Sequence, residues 1–430
     1  MSSKWSLRPN IAQGRKLMNR FNLLSSKSKA IEKYKKEVLE FLQQQLEGSL
    51  RAFTFEELSA ATQDFDQLLF LGEGGFGKVY KGFLSDPSPA ASTTQENGPS
   101  RRYQEVAVKR LRIGGLQGHR EWLNEVYFLG RFQHPNLVRL IGFCAQLTSL
   151  QEERLLVYEF VLHGSLENLL FQSTSFFMPM PWNRRVDVAV DAACGLTFLH
   201  DHQVINRDIK PSNILVDHNF VAKLSDFGLA RMGPQGDSTH VTTRVLGTWE
   251  YAAPEYIRTG HLTLQSDVWS FGIVLLELLS GRRAMDRHRP SQEQNLLVWA
   301  KPFLEQKLLS QLIDPQLDNR YSIEEANEVL SLVQQCLSKN PKNRPTMKEI
   351  FQRLSLLKDS KLKATDGTLS TTSFGMDPNH LTHLTWISSF VFSFYPTVHP
   401  TFKILDSTRL HPYFLPTSLP PTSSPSLASC

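Results

Sequence analysis

One loop near the middle of the chain brings together side chains that could perform chemistry. In residues 204–216, VINRDIKPSNILV, Asp208 and Asn213 lie five positions apart with Lys210 between them. The carboxylate could accept a proton from a substrate hydroxyl, and the amide oxygen could bind a hard cation. Apolar residues at both ends predict a loop held between buried elements. The spacing alone is weak evidence, because D-x-K-x-x-N also arises by chance.

A second carboxylate lies at the end of a predicted strand. Residues 222–230, AKLSDFGLA, present Asp226 where the strand ends, and the Phe227-Gly228 pair that follows allows the chain to turn. We therefore expect the Asp226 carboxylate at a turn rather than inside the strand.

A lysine inside an apolar strand is a third candidate. Residues 105–111, EVAVKRL, predict a strand that contains Lys109. Such a lysine either solvates an edge strand or binds a phosphate, and its place after a glycine-rich segment favours the phosphate. Glu121 and Glu125 share one face of a helix predicted over residues 119–132, so one of them could pair with Lys109.

The glycine-rich segment has the pattern G-x-G-x-x-G at Gly72, Gly74 and Gly77. In a dinucleotide-binding fold these glycines would open a helix. Here residues 78–81, KVYK, continue with strand alternation, so the glycines predict a hairpin whose backbone N–H groups can approach phosphates closely. This pattern excludes the hypothesis of a dinucleotide-dependent oxidoreductase.

The elements that must position these groups change type along the chain. After a short helix at 53–65, with a capping box formed by Thr54 and Glu57, strands alternate up to about residue 161. A glycine turn after the last strand is typical of a hinge between two lobes, and helices follow to about residue 357. Residues 266–280 are apolar nearly all round and predict a buried central helix, with Asp267 as a capping or loop-anchoring carboxylate.

The composition limits the class of protein. With 430 residues, 41% hydrophobic and 21% charged, the chain can form a soluble globular protein. A net charge of +5 favours an ordinary solvated surface over a nucleic-acid partner, and four widely spaced cysteines predict a reduced compartment. No apolar run reaches the roughly 20 residues of a membrane span. The N-terminus has no signal-peptide core, and Ser2 in place of glycine removes the acylation signal.

The two ends of the chain differ from its middle. Residues 1–40 contain ten Lys or Arg against three Asp or Glu, and apolar positions in residues 31–46 have helical spacing. This basic arm, residues 1–50, either packs on the main domain or touches an anionic membrane surface. Residues 366–430 contain eight prolines and five charged residues. They predict a disordered tail over 358–430 or, given its aromatic content, an aberrant extension of the reading frame.

Taken together, the motifs resemble the protein-kinase signature set in order and spacing. They are Gly72-x-Gly74-x-x-Gly77-x-Val79, Val106-Ala107-Val108-Lys109, Asn206-Arg207-Asp208 with Lys210 and Asn213, Asp226-Phe227-Gly228 and Ala253-Pro254-Glu255. The segments FTFEELSAAT, LLVYEF and GTWEYAAPEY resemble plant receptor-like cytoplasmic kinases, subfamily VII. The resemblance implies an α+β, two-lobed kinase fold. Its parts would be a lead-in helix at 51–64 and a kinase domain at 65–357, with the N-lobe at 65–158, the hinge at 159–163 and the C-lobe at 164–357.

The resemblance also implies ATP as the phosphate donor and Mg²⁺, or Mn²⁺ in its place, as the metal. Lys109 would bind the α- and β-phosphates and pair with Glu125 rather than Glu121. Glu159 and Val161 would offer hinge backbone groups to adenine, behind Tyr158 as the gatekeeper. The other nucleotide-binding positions would be the glycines over the phosphates and apolar contacts to the ring: Gly72, Gly74, Gly77, Leu71, Val79, Ala107 and Leu215.

Phosphoryl transfer and its control are implied in the same way. Asp208 would orient the substrate hydroxyl and accept its proton, while Lys210 would lie near the γ-phosphate, as in serine/threonine kinases. Asn213 and Asp226 would bind two Mg²⁺ ions. Regulation would involve Arg207, which could pair with a phosphate on Thr242 or Thr243, while Thr248 would shape the substrate groove. Glu255 and Arg344 would form a buried structural ion pair.

Two positions depart from the family pattern. Asn206 stands where relatives usually carry histidine or another aromatic residue, whose ring packs under Phe227 in line with Leu129 and Leu140. The smaller, polar amide leaves space or needs partners, so we expect a less stable active arrangement. Glu250 stands where relatives usually have glycine, and its side chain could alter the substrate groove.

We therefore expect a cytoplasmic, monomeric serine/threonine kinase that phosphorylates proteins and relays signals from membrane receptor kinases, in plant defence or growth. The basic arm could contact the inner face of the plasma membrane, and no nucleic-acid partner is expected. The alternative is a pseudokinase-like scaffold that binds ATP and partners with weak phosphotransfer. Asn206 favours the scaffold, whereas the intact set of expected active-site side chains argues against it: Lys109, Glu125, Asp208, Asn213 and Asp226.

Overall fold

The N-terminal part of the protein is built on a six-stranded sheet. The structure, a computed structural model, describes residues 50–75, 77–85, 103–112, 116–147, 152–171, 179–234 and 236–366. The strands are β1 Arg51–Ala52, β2 Phe70–Gly74, β3 Gly77–Ser85, β4 Tyr103–Leu111, β5 Leu140–Leu147 and β6 Glu152–Glu159. They lie in the order β1-β5-β6-β4-β3-β2, and every neighbouring pair is antiparallel except β1 with β5. Residues 1–49 of the predicted basic arm lie outside the described residues.

The glycine-rich segment forms the predicted hairpin, with Gly74 of β2 opposite Gly77 of β3. A Cβ atom on Gly77 would lie 2.3 Å from the carbonyl oxygen of Arg110, so β3 and β4 approach too closely there for any side chain. At Gly72 and Gly74 a Cβ atom would meet nothing within 4 Å. Those two glycines therefore leave open space on the hairpin, while Gly77 is required by the sheet itself.

Strand β4 separates a packing face from a functional face. Val106 and Val108 are fully buried in a cluster with Phe53 and Leu58 of the lead-in segment. Side chains alternate along a strand, so Lys109 faces the other side of the sheet. The lead-in helix α1, Phe55–Ala61, is shorter than the predicted 53–65. Its predicted capping box is confirmed, because the Glu57 amide donates to Thr54 Oγ1 and the Thr54 amide donates to the Glu57 carboxylate.

The C-terminal part is helical and supports the loop that carries Asp208. Helix α2, Leu116–Leu129, belongs to the N-terminal part and packs on the sheet. The helices of the C-terminal part are α3 Leu166–Phe171, α4 Trp182–Asp201, α5 Pro254–Thr259, α6 Leu264–Ser280, α7 Leu296–Gln306, α8 Leu309–Leu312, α9 Ile323–Cys336 and α10 Met347–Asp366. Helix α6 is buried over most of its length, as its apolar sequence predicted. A sheet-rich N-terminal region followed by a helical C-terminal region confirms the two-lobed α+β architecture.

Short strand pairs surround the loop. They are β7 Val204–Ile205 with β10 Arg231–Met232, β8 Ile214–Val216 with β9 Ala222–Leu224, and β11 Val241–Thr242 with β12 His261–Leu262. Because β7 and β8 flank the residues between 205 and 214, the loop is fixed at both ends, as its apolar flanks predicted.

The predicted start of the tail at residue 358 is wrong, because helix α10 continues through Asp366. Leu354 is fully buried, and Lys358 Nζ lies 3.6 Å from Asp187 and 3.9 Å from Asp191, both on helix α4. These contacts hold the helix as far as residue 358, and the polar sequence did not predict that it continues for about two further turns. The rest of the predicted tail lies outside the described residues. Among the described helices, none is both long and apolar enough to cross a membrane.

Candidate active site

An ion-pair triad joins the sheet to the helical part of the protein. Lys109 Nζ lies 2.6 Å from Glu125 Oε1 on helix α2 and 3.3 Å from Asp226 Oδ1 after strand β9. Glu125 is therefore the observed partner of Lys109, as preferred from the sequence over Glu121. The second oxygen of Glu125 accepts a hydrogen bond from the hydroxyl of Tyr158.

Burial and charge act in opposite directions on this triad. Burial alone would lower the pKa of Lys109, but the carboxylates of Asp226 and Glu125 outweigh it and raise the pKa overall. Burial raises the pKa of Glu125, and the contact with Lys109 opposes that rise. The ammonium group of Lys109 is therefore charged throughout the physiological pH range and is held beside Asp226.

Asp208 is surrounded by donors from two segments. Its Oδ1 accepts hydrogen bonds from the Thr248 amide at 2.9 Å and the Thr248 hydroxyl at 2.7 Å. Its Oδ2 lies 2.8 Å from Lys210 Nζ and 3.0 Å from Asn213 Nδ2. Lys210 also donates to Thr248 Oγ1 at 2.7 Å. The structure thus brings together four of the residues singled out in the sequence: Asp208, Lys210, Asn213 and Thr248.

The backbone of this loop is anchored by the fully buried Asp267 of helix α6. The Asp267 carboxylate accepts the amides of Asn206 at 2.7 Å and Arg207 at 2.9 Å, and it lies 3.1 Å from His200 Nε2. Asp267 is therefore the loop anchor that its sequence position predicted. His200, its other partner, was not singled out, because a histidine at the end of an amphipathic helix carries no distinctive signal.

Asn206 is fully buried with half of its amide satisfied. Its Oδ1 accepts a hydrogen bond from the Asp208 amide at 3.1 Å. Within the part of the chain that the structure describes, no atom accepts a hydrogen bond from Asn206 Nδ2. The expected need for amide partners is thus met only in part, at a position one residue before Arg207 and two before Asp208.

Two oxygen-bearing side chains could hold a cation. Asn213 Nδ2 donates to Asp208, so the amide oxygen is the atom left for a metal. Asp226 has a left-handed backbone with φ of 57°, which confirms a turn at this carboxylate. The Ser225 amide donates to the Asn213 carbonyl at 2.8 Å and ties the two segments together. One amide and one carboxylate suit an ion that also binds phosphate oxygens and water, as Mg²⁺ does.

The expected adenine-binding positions lie at the end of β6 and in its neighbours. Tyr158 is buried, and Ala107 stands opposite it in the sheet. The Glu159 amide donates a hydrogen bond to the Arg139 carbonyl at 3.0 Å. Among the described residues, none accepts a hydrogen bond from the Val161 amide. Around them lie the half-buried Val79, Ala107 and Leu215 and the exposed Leu71.

The proposed regulatory residues have other partners in the unphosphorylated loop, and the predicted pairing of Arg207 with a phosphate on Thr242 or Thr243 stays a prediction. Arg207 donates to the Arg244 carbonyl at 3.1 Å and to the Tyr256 hydroxyl. Thr243 Oγ1 instead accepts a hydrogen bond from Arg231 at 3.0 Å, and Thr242 is exposed. Arg231 was missed; a basic residue shortly after Asp226 was the available signal. Burial and the nearby Arg207 both lower the pKa of Arg231, so the two guanidinium groups lie close enough to repel each other.

Comparison with known proteins decides the family. A family model described as protein tyrosine and serine/threonine kinase matches residues 66–354, well over half of the chain. The chain belongs to this protein kinase family. The match agrees with the sheet-and-helix architecture and with the resemblance seen in the sequence.

Plant relatives narrow the class of kinase. The probable serine/threonine-protein kinase PBL8 of Arabidopsis thaliana is 54% identical over 308 residues, 71% of this chain and 72% of the relative. Receptor-like cytoplasmic kinase 176 of Oryza sativa is 51% identical over 317 residues, 73% and 78% of the two chains. Serine/threonine-protein kinase BIK1 of Arabidopsis thaliana is 52% identical over 314 residues, which cover 72% of this chain and 77% of the relative.

The kinase is thus a serine/threonine protein kinase of the receptor-like cytoplasmic type. As a member of the family it uses ATP with a divalent metal and acts on protein substrates. The pseudokinase alternative is not favoured, because its relatives are named as serine/threonine kinases.

Proposed function

We propose that this kinase transfers the γ-phosphoryl group of Mg²⁺-bound ATP to serine or threonine hydroxyls through the site around Asp208. The observation that carries the proposal is the contact set of Asp208, whose carboxylate meets Lys210, Asn213 and Thr248 within 3.0 Å. ATP supplies the phosphoryl group, and Mg²⁺ neutralises the charge of its phosphates. The protein contributes position and electrostatics.

At the nucleotide end, Lys109 binds the α- and β-phosphates while Glu125 holds its ammonium group in place. Gly72, Gly74 and Gly77 cover the phosphates, and the open space at the first two glycines supports this role. The Val161 amide and the Glu159 carbonyl bind the adenine edge at the hinge, behind Tyr158. The ring contacts are apolar: Leu71, Val79, Ala107 and Leu215.

At the transfer end, Asn213 Oδ1 and the Asp226 carboxylate would hold Mg²⁺. Asp208 orients the substrate hydroxyl and accepts its proton as the new oxygen–phosphorus bond forms. The bond between the γ-phosphorus and the β,γ-bridging oxygen breaks in the same transfer, and ADP leaves. Lys210, already 2.8 Å from Asp208, stabilises the negative charge of the γ-phosphoryl group. Thr248 bridges Asp208 and Lys210, so it fixes the substrate groove beside the acceptor.

Control of the site rests on the loop between Asp226 and Thr248. A phosphate on Thr243 would lie beside Arg231, whose guanidinium already contacts the hydroxyl, with Arg207 nearby. Such a phosphate would relieve the repulsion between the two arginines and order the loop. Thr242 is the alternative acceptor. Both are proposed as regulatory positions.

In the cell, we place the kinase in the cytoplasm as a monomer that relays signals from membrane receptor kinases in plant defence or growth. Relatives named as receptor-like cytoplasmic kinases support this assignment. The basic arm, residues 1–50, provides contact with the inner face of the plasma membrane. A liposome sedimentation assay with and without residues 1–50 tests the arm; equal binding of both forms would remove the membrane contact.

The central experiment compares the full-length kinase with Asp208→Ala in Mg²⁺-dependent labelling of a Ser/Thr peptide. Loss of the proton acceptor is expected to lower the rate by about 10²- to 10⁴-fold. Asp201→Ala, an exposed carboxylate at the end of helix α4, is the matched control and should keep the wild-type rate. Equal labelling by wild type and Asp208→Ala would overturn the proposed role. Repeating the assay with Mn²⁺ in place of Mg²⁺ shows which of the two ions supports the higher rate of peptide labelling.

A further inference from the structure

A groove beside Asp208 is lined by several charged side chains, and one of them, Glu250, has no charged partner among the described residues. Lys210 and Thr248, which both contact Asp208, form one wall of the groove, and Glu250 lies next to them. Glu167, Glu277 and Arg283 line the rest of it. Because Thr248 links the groove directly to Asp208, a peptide with its hydroxyl at Asp208 has neighbouring residues within reach of Glu250.

The other charges in the groove are compensated. Lys210 pairs with Asp208, and Arg283 pairs with Glu167. Glu277 is fully buried and accepts hydrogen bonds from Tyr251 at 3.0 Å and from the Ala284 amide at 2.7 Å. Burial raises the pKa of Glu277 to about 8, so near neutral pH most of this carboxyl is uncharged.

Glu250 differs from each of them. It is half-buried in a short helical turn, Trp249–Tyr251, between the Thr248 contact and helix α5. No described residue forms an ion pair or a hydrogen bond with its side chain. The lining of the groove therefore has one uncompensated charge, which is negative, and a partly desolvated carboxylate of this kind favours a cation over water alone.

We propose that Glu250 forms a subsite that selects a basic residue, Arg or Lys, close in sequence to the phosphorylated serine or threonine. This inference rests on the proposed function, since it assigns a specificity element to the same transfer site. The basic side chain pairs with Glu250 while the acceptor hydroxyl lies at Asp208. An acidic substrate residue at the same place would meet a like charge and be disfavoured.

The test scans a Ser/Thr peptide in which a single Lys, Glu or Ala is moved through the positions flanking the acceptor. The readout is the ratio of kcat/KM for the Lys peptide to that for the Ala peptide, measured for each full-length variant. In wild type, one position should show a preference of roughly two- to fivefold, the range of a partly exposed ion pair, and raised salt should reduce it. Glu250→Gln should bring the ratio close to one, and Glu250→Lys should favour the Glu peptide.

Glu305→Gln is the control, because it removes an exposed carboxylate from helix α7 that does not line the groove. It should keep the wild-type ratio at every position. A flat scan in wild type, or the same ratios in wild type, Glu250→Gln and Glu250→Lys, would overturn the subsite. Because each ratio is measured with active enzyme, that outcome differs from failure of the proposed function, in which no peptide is labelled above the Asp208→Ala background.

Discussion

At the scale of single residues, Asn206 supports the active-site loop with one half of its side-chain amide and leaves the other half without a hydrogen bond among the described residues. The loop geometry is maintained, since Asp267 accepts two backbone amides and Asn206 Oδ1 accepts the Asp208 amide. The other half of the Asn206 amide is buried without an acceptor among the described residues. An unsatisfied buried donor costs about 1–3 kcal/mol. Asn206 should therefore weaken the loop without removing any group that takes part in transfer.

Asn206→His should stabilise the active arrangement. The imidazole Nδ1 can accept the Asp208 amide as Oδ1 does, which places its one proton on Nε2, so a single ring N–H replaces the two N–H donors of the amide. We expect the free energy of unfolding to rise by about 1 kcal/mol and the rate of peptide phosphorylation to increase. Denaturant unfolding and initial rates measure the two effects. Asn219→His, at an exposed position, is the control, and unchanged or lower values for Asn206→His would refute the argument.

Glu277 gives the kinase a predictable pH dependence. Its pKa rises from 4.5 to about 8 on folding, mainly through burial. Between these values the folded protein keeps a proton that the unfolded chain releases, so this group's contribution to stability falls as pH rises. Glu277→Gln keeps a neutral group of the same shape and lacks this loss. The Tm of wild type should fall relative to Glu277→Gln between about pH 5 and pH 8; parallel curves would contradict the assigned burial effect.

At the scale of elements, the Glu255–Arg344 pair fastens helix α5 to the turn before helix α10. Two hydrogen bonds of 2.7 and 2.8 Å join the guanidinium to the carboxylate, and the Arg344 side chain is fully buried. Arg344 also donates to the carbonyls of Ser338 and Gln265. The predicted structural ion pair is thus confirmed, and its position outside the Asp208 site fits a role in holding elements together.

Arg344→Met should be strongly destabilising, because it leaves the Glu255 carboxylate and two carbonyls without their donor. Breaking a buried pair costs about 3–5 kcal/mol. Lys358→Met is the matched control: its partners lie at 3.6 and 3.9 Å and its side chain is 45% exposed, so the cost should stay below about 1 kcal/mol. Denaturant unfolding measures both. Similar costs for the two variants would show that Arg344 contributes no more than a surface charge.

The elements were predictable where their signals are local. The hairpin after Gly72, the capping box at Thr54 and the central helix α6 follow from spacing within a few residues. Other features depend on contacts between distant segments. A Cβ atom at Gly142 would lie 2.0 Å from the Arg51 carbonyl oxygen, so this glycine makes room for β1, which no local pattern around it reveals.

The features of the active site also fall into two groups, those with a local sequence signal and those that depend on contacts between distant segments. The identities of Lys109, Asp208 and Asp226 were readable from motifs, and the choice of Glu125 over Glu121 came from resemblance. The contact of Arg231 with Thr243, and the lack of a charged partner for Glu250 among the described residues, could not be predicted from the sequence. Each depends on which side chains a folded neighbour supplies, and a single sequence does not state those distances.

At the scale of the whole molecule, the site is the place where the sheet and the helical region meet. Lys109 comes from strand β4, Glu125 from helix α2, and Asp226 from the segment after β9. A nucleotide held by these groups would contact both regions at once. Binding should therefore be visible as stabilisation of the entire fold and not only as catalysis.

A non-hydrolysable ATP analogue with Mg²⁺ should raise the Tm of the full-length kinase. At a ligand concentration about 100 times Kd, linkage predicts about 2.7 kcal/mol of added stability, or a Tm shift of roughly 3–4 °C for a protein of this size. Lys109→Met should reduce the shift by weakening phosphate binding, whereas Lys301→Met, an exposed lysine on helix α7, should keep it. In wild type, EDTA should remove the part of the Tm shift that depends on the metal. Asp226→Asn should lack that part even when Mg²⁺ is present. An equal shift in wild type and Lys109→Met would exclude Lys109 from the nucleotide site. The variant's own stability does not affect this comparison, because each shift is measured against the same variant without nucleotide.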